Sequence, residues 1–118
     1  MKKHSIFYLF CLLIIISAGI VHAQFTGPGV QQSQAVTVSQ ALTLPHKTPV
    51  ILTGTIVEGI GREKYTFRDS TGEIIVEIER KVWRGLSVSP SDTVEISGKL
   101  EKELFKKPKI EVKAIRIL

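Results

Sequence analysis

From Val50 onward the apolar positions of the chain recur with a period of two. Val50, Leu52, Gly54 and Ile56 fall on one side of an extended segment, Tyr65 and Phe67 on one side of the next, and Ile74, Val76 and Ile78 on one side of a third. Val94, Ile96, Gly98 and Leu100 repeat the pattern. In the last segment Ile110 and Val112 are in phase, whereas Ile115 and Ile117 are out of it. Alternation of this kind predicts half-buried β-strands. The slip in the last segment predicts a β-bulge, and the interior glycines Gly54 and Gly98 predict a bulge or a bend where strands approach closely.

The punctuation fits. Asp69-Ser70-Thr71-Gly72 reads as a hairpin turn, Glu58-Gly59-Ile60-Gly61-Arg62 as a loop, Ser89-Pro90-Ser91-Asp92 as a turn and Lys106-Lys107-Pro108 as a hairpin tip. Residues 80–86 break the alternation around Trp83 and end in Gly85, which predicts a short helical or irregular connection. Ahead of the first strand, residues 37–42 fit one or two helical turns, with Thr37 as cap and Val38, Ala41 and Leu42 as the apolar face. Pro45 and Pro49 end any helix there. Residues 24–35 are polar, rich in Gln and Gly and without periodicity, and are expected to form a flexible arm.

Five strands in about 70 residues, as a three-strand meander, a partly helical connection and a closing hairpin, predict an all-β fold. The arrangement expected is a five-stranded OB-fold barrel over residues 36–118, with one short helix before its first strand and another between its third and fourth. An SH3-like barrel or a small open sandwich is the alternative.

The first 23 residues follow another rule. Lys2 and Lys3 precede an unbroken apolar run over residues 6–16, and Val21-His22-Ala23 supplies a small-residue cleavage pattern. This is the layout of a secretory signal peptide cut after Ala23. The stretch of residues 6–21 is shorter than the roughly 20 residues a membrane-spanning helix needs. Cys11 lies inside the apolar run behind Phe10, which argues against a lipid-modified cysteine. Export to the bacterial periplasm is the expectation. The single cysteine leaves with the leader, so no disulfide can hold the exported domain. The formal net charge of the 118-residue chain is +5, and it falls to +3 without Lys2 and Lys3.

Candidate chemistry is sparse. Beyond the leader the histidine is His46, in a Pro-flanked loop, and the aspartates are Asp69 and Asp92, both in turns. No catalytic set, no metal-ligand spacing and no phosphate loop is legible, so neither an enzyme nor a cofactor or metal site is expected. The candidates for ligand binding are basic. Lys102, Lys106, Lys107 and Lys109 surround the last hairpin, and Arg62 and Arg68 could join them. A solvated tip whose lysines discourage edge pairing is the plainer reading of that cluster. Trp83 either plugs an open barrel end or stacks on a ligand at its mouth. Leu104 and Phe105 could supply an apolar contact or fold back. The alternative function is a single-stranded nucleic-acid or oligonucleotide-binding OB module, but nucleic acid is not the expected partner, because Tyr65 and Phe67 share the inward face and the opposite face, with Lys64, Arg68, Glu77 and Glu79, is mixed in sign. An adaptor working through the arm is a further option.

Several ordered elements have a familiar spacing: Phe25-Thr26-Gly27-Pro28; Val50, Leu52, Gly54 and Ile56; Tyr65, Phe67, Asp69, Gly72, Ile74, Val76 and Ile78; Trp83; and Val88, Pro90, Asp92, Val94, Ile96 and Gly98. Over roughly residues 36–117 the chain resembles the bacterial OB-fold family, the YgiW/YdeI type of periplasmic stress-tolerance proteins. The resemblance implies a small periplasmic OB barrel without known catalysis, supporting envelope stress tolerance. Suitable partners are an envelope glycan, a small anionic ligand or a periplasmic protein. The chain has His46-Lys47-Thr48-Pro49 where the family usually has acidic residues, and Glu79 and Glu101 where it often has Asp. An acidic ligand site is therefore not carried over with it.

Overall fold

The computed structural model describes residues 32–118. In chain order the elements are β1 (Gln34–Ala35), α1 (Val38–Ala41), β2 (Pro49–Gly61), β3 (Lys64–Asp69), β4 (Gly72–Glu77), α2 (Arg80–Trp83), β5 (Val94–Glu101) and β6 (Lys109–Ile117). Strands β2 to β6 form the expected ring. β2 pairs antiparallel with β3, β3 with β4, β4 runs parallel to β6, β6 pairs antiparallel with β5, and β5 returns to β2. This is a closed five-stranded barrel and excludes the open sandwich. The leader and most of the arm lie outside the described residues.

One long strand makes closure possible. β2 pairs with β5 over Pro49 to Gly54 and with β3 from Thr55 onward. Gly54 sits at the change of partner, in unbroken register, so it marks a bend and not a bulge. A Cβ there would overlap the Arg68 carbonyl oxygen and lie 2.8 Å from the Phe67 ring. The two bulges of β2 come later, where Val57 and Ile60 are skipped by the β3 register. They carry the strand through Gly61, across residues expected to form a loop, and their broken alternation is what hid it. The bulge expected in the last strand lies at Lys113, between the pairs Ser97–Ala114 and Gly98–Val112.

The alternating residues line the core. Val50, Leu52, Ile56, Phe67, Ile74, Val76, Ile78, Val94, Ile96, Leu100, Ile110 and Val112 are buried. Tyr65 is only half-buried, packed against this core from the barrel end. α1 closes the opposite side with Val38 and Ala41, while Leu42 turns outward at 39% exposed.

α1 starts as read from the sequence. Thr37 Oγ1 accepts from the Gln40 N–H at 3.2 Å, and Gln40 Oε1 accepts from the Thr37 N–H at 2.9 Å, a reciprocal capping box. Asp69 adds a tertiary cap by accepting from the Val38 N–H at 2.8 Å. The last two residues of the expected arm, Gln34 and Ala35, form β1, which runs parallel to Val50 and Ile51 of β2.

Candidate ligand-binding surface

The β5–β6 hairpin carries four of the six basic candidates, Lys102, Lys106, Lys107 and Lys109, and is fixed from below. The Lys102 N–H donates to His46 Nδ1 at 3.0 Å, and the Lys102 ammonium donates to the carbonyls of Leu42 (3.0 Å) and Leu44 (2.9 Å). That ammonium clamps the end of α1 to the hairpin, satisfying carbonyls the helix leaves open. Lys109 lies between two carboxylates, 3.4 Å from Glu77 and 3.6 Å from Glu101. Burial works against its charged form, and the two carboxylates more than offset this, so its pKa is raised. Lys106 pairs with Glu103 at 3.0 Å. Among the described residues Lys107 and Lys64 pair with no carboxylate.

Lys64, Lys106, Lys107 and Lys109 line a concavity of about 280 Å³ together with Glu101, Glu103 and Ile75. It lies on the outer face of β3, β4 and β6, under the hairpin. Ile75 points outward from a strand whose other outward residues are charged and forms an apolar floor. A shallower neighbouring hollow of about 410 Å³ continues past Ile75 to Ile60, Thr66, Glu73, Lys107 and Pro108. Four lysines against two glutamates leave the first concavity net positive. A ligand with an anionic group and an apolar or ring face would meet both kinds of surface there.

The remaining candidates lie elsewhere. Arg68 is bound across the hairpin to Glu73, with Arg68 Nε donating to Glu73 Oε2 at 2.6 Å, so its charge is compensated. This is the cross-strand pairing expected from a face of mixed sign. Arg62 and Trp83 are brought together, but at the barrel end, in a cleft of about 480 Å³ with Glu63, Tyr65, Ile78 and Arg80. The Tyr65 and Trp83 rings meet edge to face, 5.5 Å apart at 77°. Trp83 thus packs on the core with one part and lines a cleft with another. Arg80 joins it because both belong to α2, three positions apart. Lys64 and Ile75 carry no mark in the sequence beyond their outward phase.

Asp69 and Asp92 are structural. Asp69 Oδ1 accepts from the Thr71 N–H (2.8 Å) and hydroxyl (2.6 Å), and Asp92 Oδ2 accepts from the Ser89 N–H at 2.8 Å. Partial burial raises the Asp69 pKa, but hydrogen bonds from the Thr71 hydroxyl and the N–H groups of Val38, Thr71 and Gly72 outweigh it, and the net shift is downward. Among the described residues no group of three or more His, Cys, Asp or Glu side chains is placed to hold a metal ion.

A meander whose third strand closes in parallel on the fifth, with a helix in the connection between the third and fourth, defines an OB-fold protein. The chain belongs to the bacterial OB fold (BOF) proteins, whose family pattern matches residues 18–117. It is 38% identical to protein YgiW of Escherichia coli K12, over 98% of this chain and 97% of that one. It is 32% identical to the calcium-regulated OB-fold protein CarO of Pseudomonas aeruginosa, over 88% of each. The solved structure of the hypothetical protein YgiW from Escherichia coli superposes with a TM-score of 0.69 at 40% identity, covering 82% of this chain and all of that one. The telomere capping protein Ten1 of Saccharomyces pombe shares the fold, with a TM-score of 0.61 at 12% identity over 73% of this chain and 81% of that one.

Proposed function

We propose that this protein is a non-catalytic, exported binding module of the bacterial envelope, holding an anionic ligand between its β3–β4 face and the β5–β6 hairpin. The observation that carries the reading is the pairing pattern of the lysines. Lys109 and Lys106 have carboxylate partners, whereas Lys64 and Lys107 face the same concavity without one. OB barrels use this sheet face and its flanking loops for oligonucleotides and oligosaccharides. A phosphorylated or uronic-acid glycan fits the mixture, with its charge on the two free ammonium groups and its ring face on Ile75. A role in envelope stress tolerance would follow from engaging such a ligand outside the cytoplasm, and it rests on the leader over residues 1–23.

Charge reversal tests the reading. Lys64→Glu with Lys107→Glu is expected to weaken binding of a phosphorylated oligosaccharide at least tenfold by calorimetry, with an unchanged melting temperature. Wild-type affinity should fall as salt rises, because exposed ammonium–phosphate contacts are screened over about 10 Å at 0.1 M. Wild-type affinity in the double variant would remove this surface from consideration. Tight, steeply salt-dependent binding of single-stranded DNA that ignores the oligosaccharide would favour a nucleic-acid module instead.

A further inference from the structure

The β5–β6 hairpin ends in the two most exposed large apolar side chains of the described residues, Leu104 at 81% and Phe105 at 98%. They do not fold back onto the barrel. Phe105 takes a left-handed backbone conformation, φ 63°, within a tight turn closed by the Lys106 N–H donating to the Glu103 carbonyl at 3.2 Å. A bulky residue rarely adopts that conformation. Below the tip the hairpin is anchored by Lys102 on α1 and by Lys109 between Glu77 and Glu101. A leucine and a phenylalanine are therefore held out in solvent on a braced support, and two lysines follow at once.

We infer that this tip is a membrane-surface contact: Leu104 and Phe105 enter the interfacial layer of a leaflet rich in anionic lipid while Lys107, and Lys106 from its exposed pair with Glu103, meet its headgroup phosphates. Two adjacent side chains on a narrow loop offer far less area than the roughly 1,000 Å² a specific protein interface buries. A bilayer interface is continuous and accepts a small wedge, and aromatic side chains favour that layer. The flanking lysines select negative lipid, since basic residues beside an apolar wedge gain from the surface potential of an anionic leaflet. Among the described residues no helix is long and apolar enough to cross a membrane. The tip shares Lys106 and Lys107 with the concavity beneath the hairpin, whereas Leu104 and Phe105 belong to the tip alone.

Among the described residues the buried core runs from Val38 to Val112, so a chain starting at Gln24 is expected to fold without the leader and can be tested free of it. It is expected to co-sediment with vesicles of equal parts phosphatidylglycerol and phosphatidylcholine and to stay in solution with phosphatidylcholine alone. Leu104→Ser with Phe105→Ser should lower the partition coefficient about tenfold or more while keeping its affinity for the phosphorylated oligosaccharide. Phe105→Trp should add blue-shifted emission only on the anionic vesicles. Three results would each overturn the inference: wild type that ignores anionic vesicles, a serine variant that sediments like wild type, or release by free glycerol phosphate, which would mean headgroup recognition by lysines alone. Concentration-dependent self-association abolished by the serine variant would overturn it in favour of a second copy as the tip's occupant.

Discussion

Asp69 shows how much one carboxylate can join. It ends β3, holds the turn into β4 through Thr71, and caps α1 through the Val38 N–H. Its lowered pKa gives a prediction with a definite sign. The folded carboxylate ionises below its ordinary 3.8, so the unfolded chain binds the proton more readily. The stabilisation is complete well above 3.8 and is lost as pH falls through the folded value. Asp69→Asn should cost about 1 kcal/mol at neutral pH, the size of a lost helix cap. Urea titrations across the acid range should show the two proteins converging as pH drops, and a gap that stays constant would mean the charge is irrelevant. The turn role of Asp69 was legible, because Asp-Ser-Thr-Gly favours bonds within the turn. Its bond to α1 was not, since nothing local brings residues 31 positions apart together. The same limit hid the clamp by Lys102, which reads in sequence as one more solvated lysine.

Among the strands, alternation marked every barrel member and even the phase slip at Lys113. It failed where a strand is bulged twice, as β2 is beyond Ile56, and where pairing is made by backbone alone. β1 is the second case: Gln34 and Ala35 are both exposed, and two residues cannot display a period. Gly98 was marked as a place of close approach, and the structure supplies the reason. A Cβ there would overlap the Glu111 carbonyl and press on Val112 Cα, both backbone atoms that cannot turn aside. Gly98→Ala should therefore cost about 2–4 kcal/mol by forcing β5 and β6 apart. Equilibrium urea unfolding would show it as a lower midpoint, and an unchanged midpoint would mean the crossing is slack. The same substitution at Gly61, where a Cβ meets nothing within 4 Å, serves as the tolerant control.

Most apolar residues of the barrel strands point inward, and the proposed function falls to one face, one hairpin and one end. The fold was readable because closure follows from periodicity and turn chemistry, which are local. The proposed binding surface was readable only in part. Sequence grouped Arg62, Arg68, Trp83 and the hairpin lysines by charge and neighbourhood, but the fold divides them among an outer concavity, a compensated cross-strand pair and an end cleft. Which lysines keep a free charge depends on where Glu77, Glu101 and Glu103 fall around the hairpin, and that is a matter of tertiary placement. Amide and methyl NMR shifts recorded while a phosphorylated oligosaccharide is titrated into the chain from Gln24 would show which surface it occupies. The account predicts that the largest changes gather at Lys64, Ile75, Lys107 and their neighbours and fade as salt rises. Changes confined to the cleft of Arg62, Arg80 and Trp83, or none at all, would contradict it.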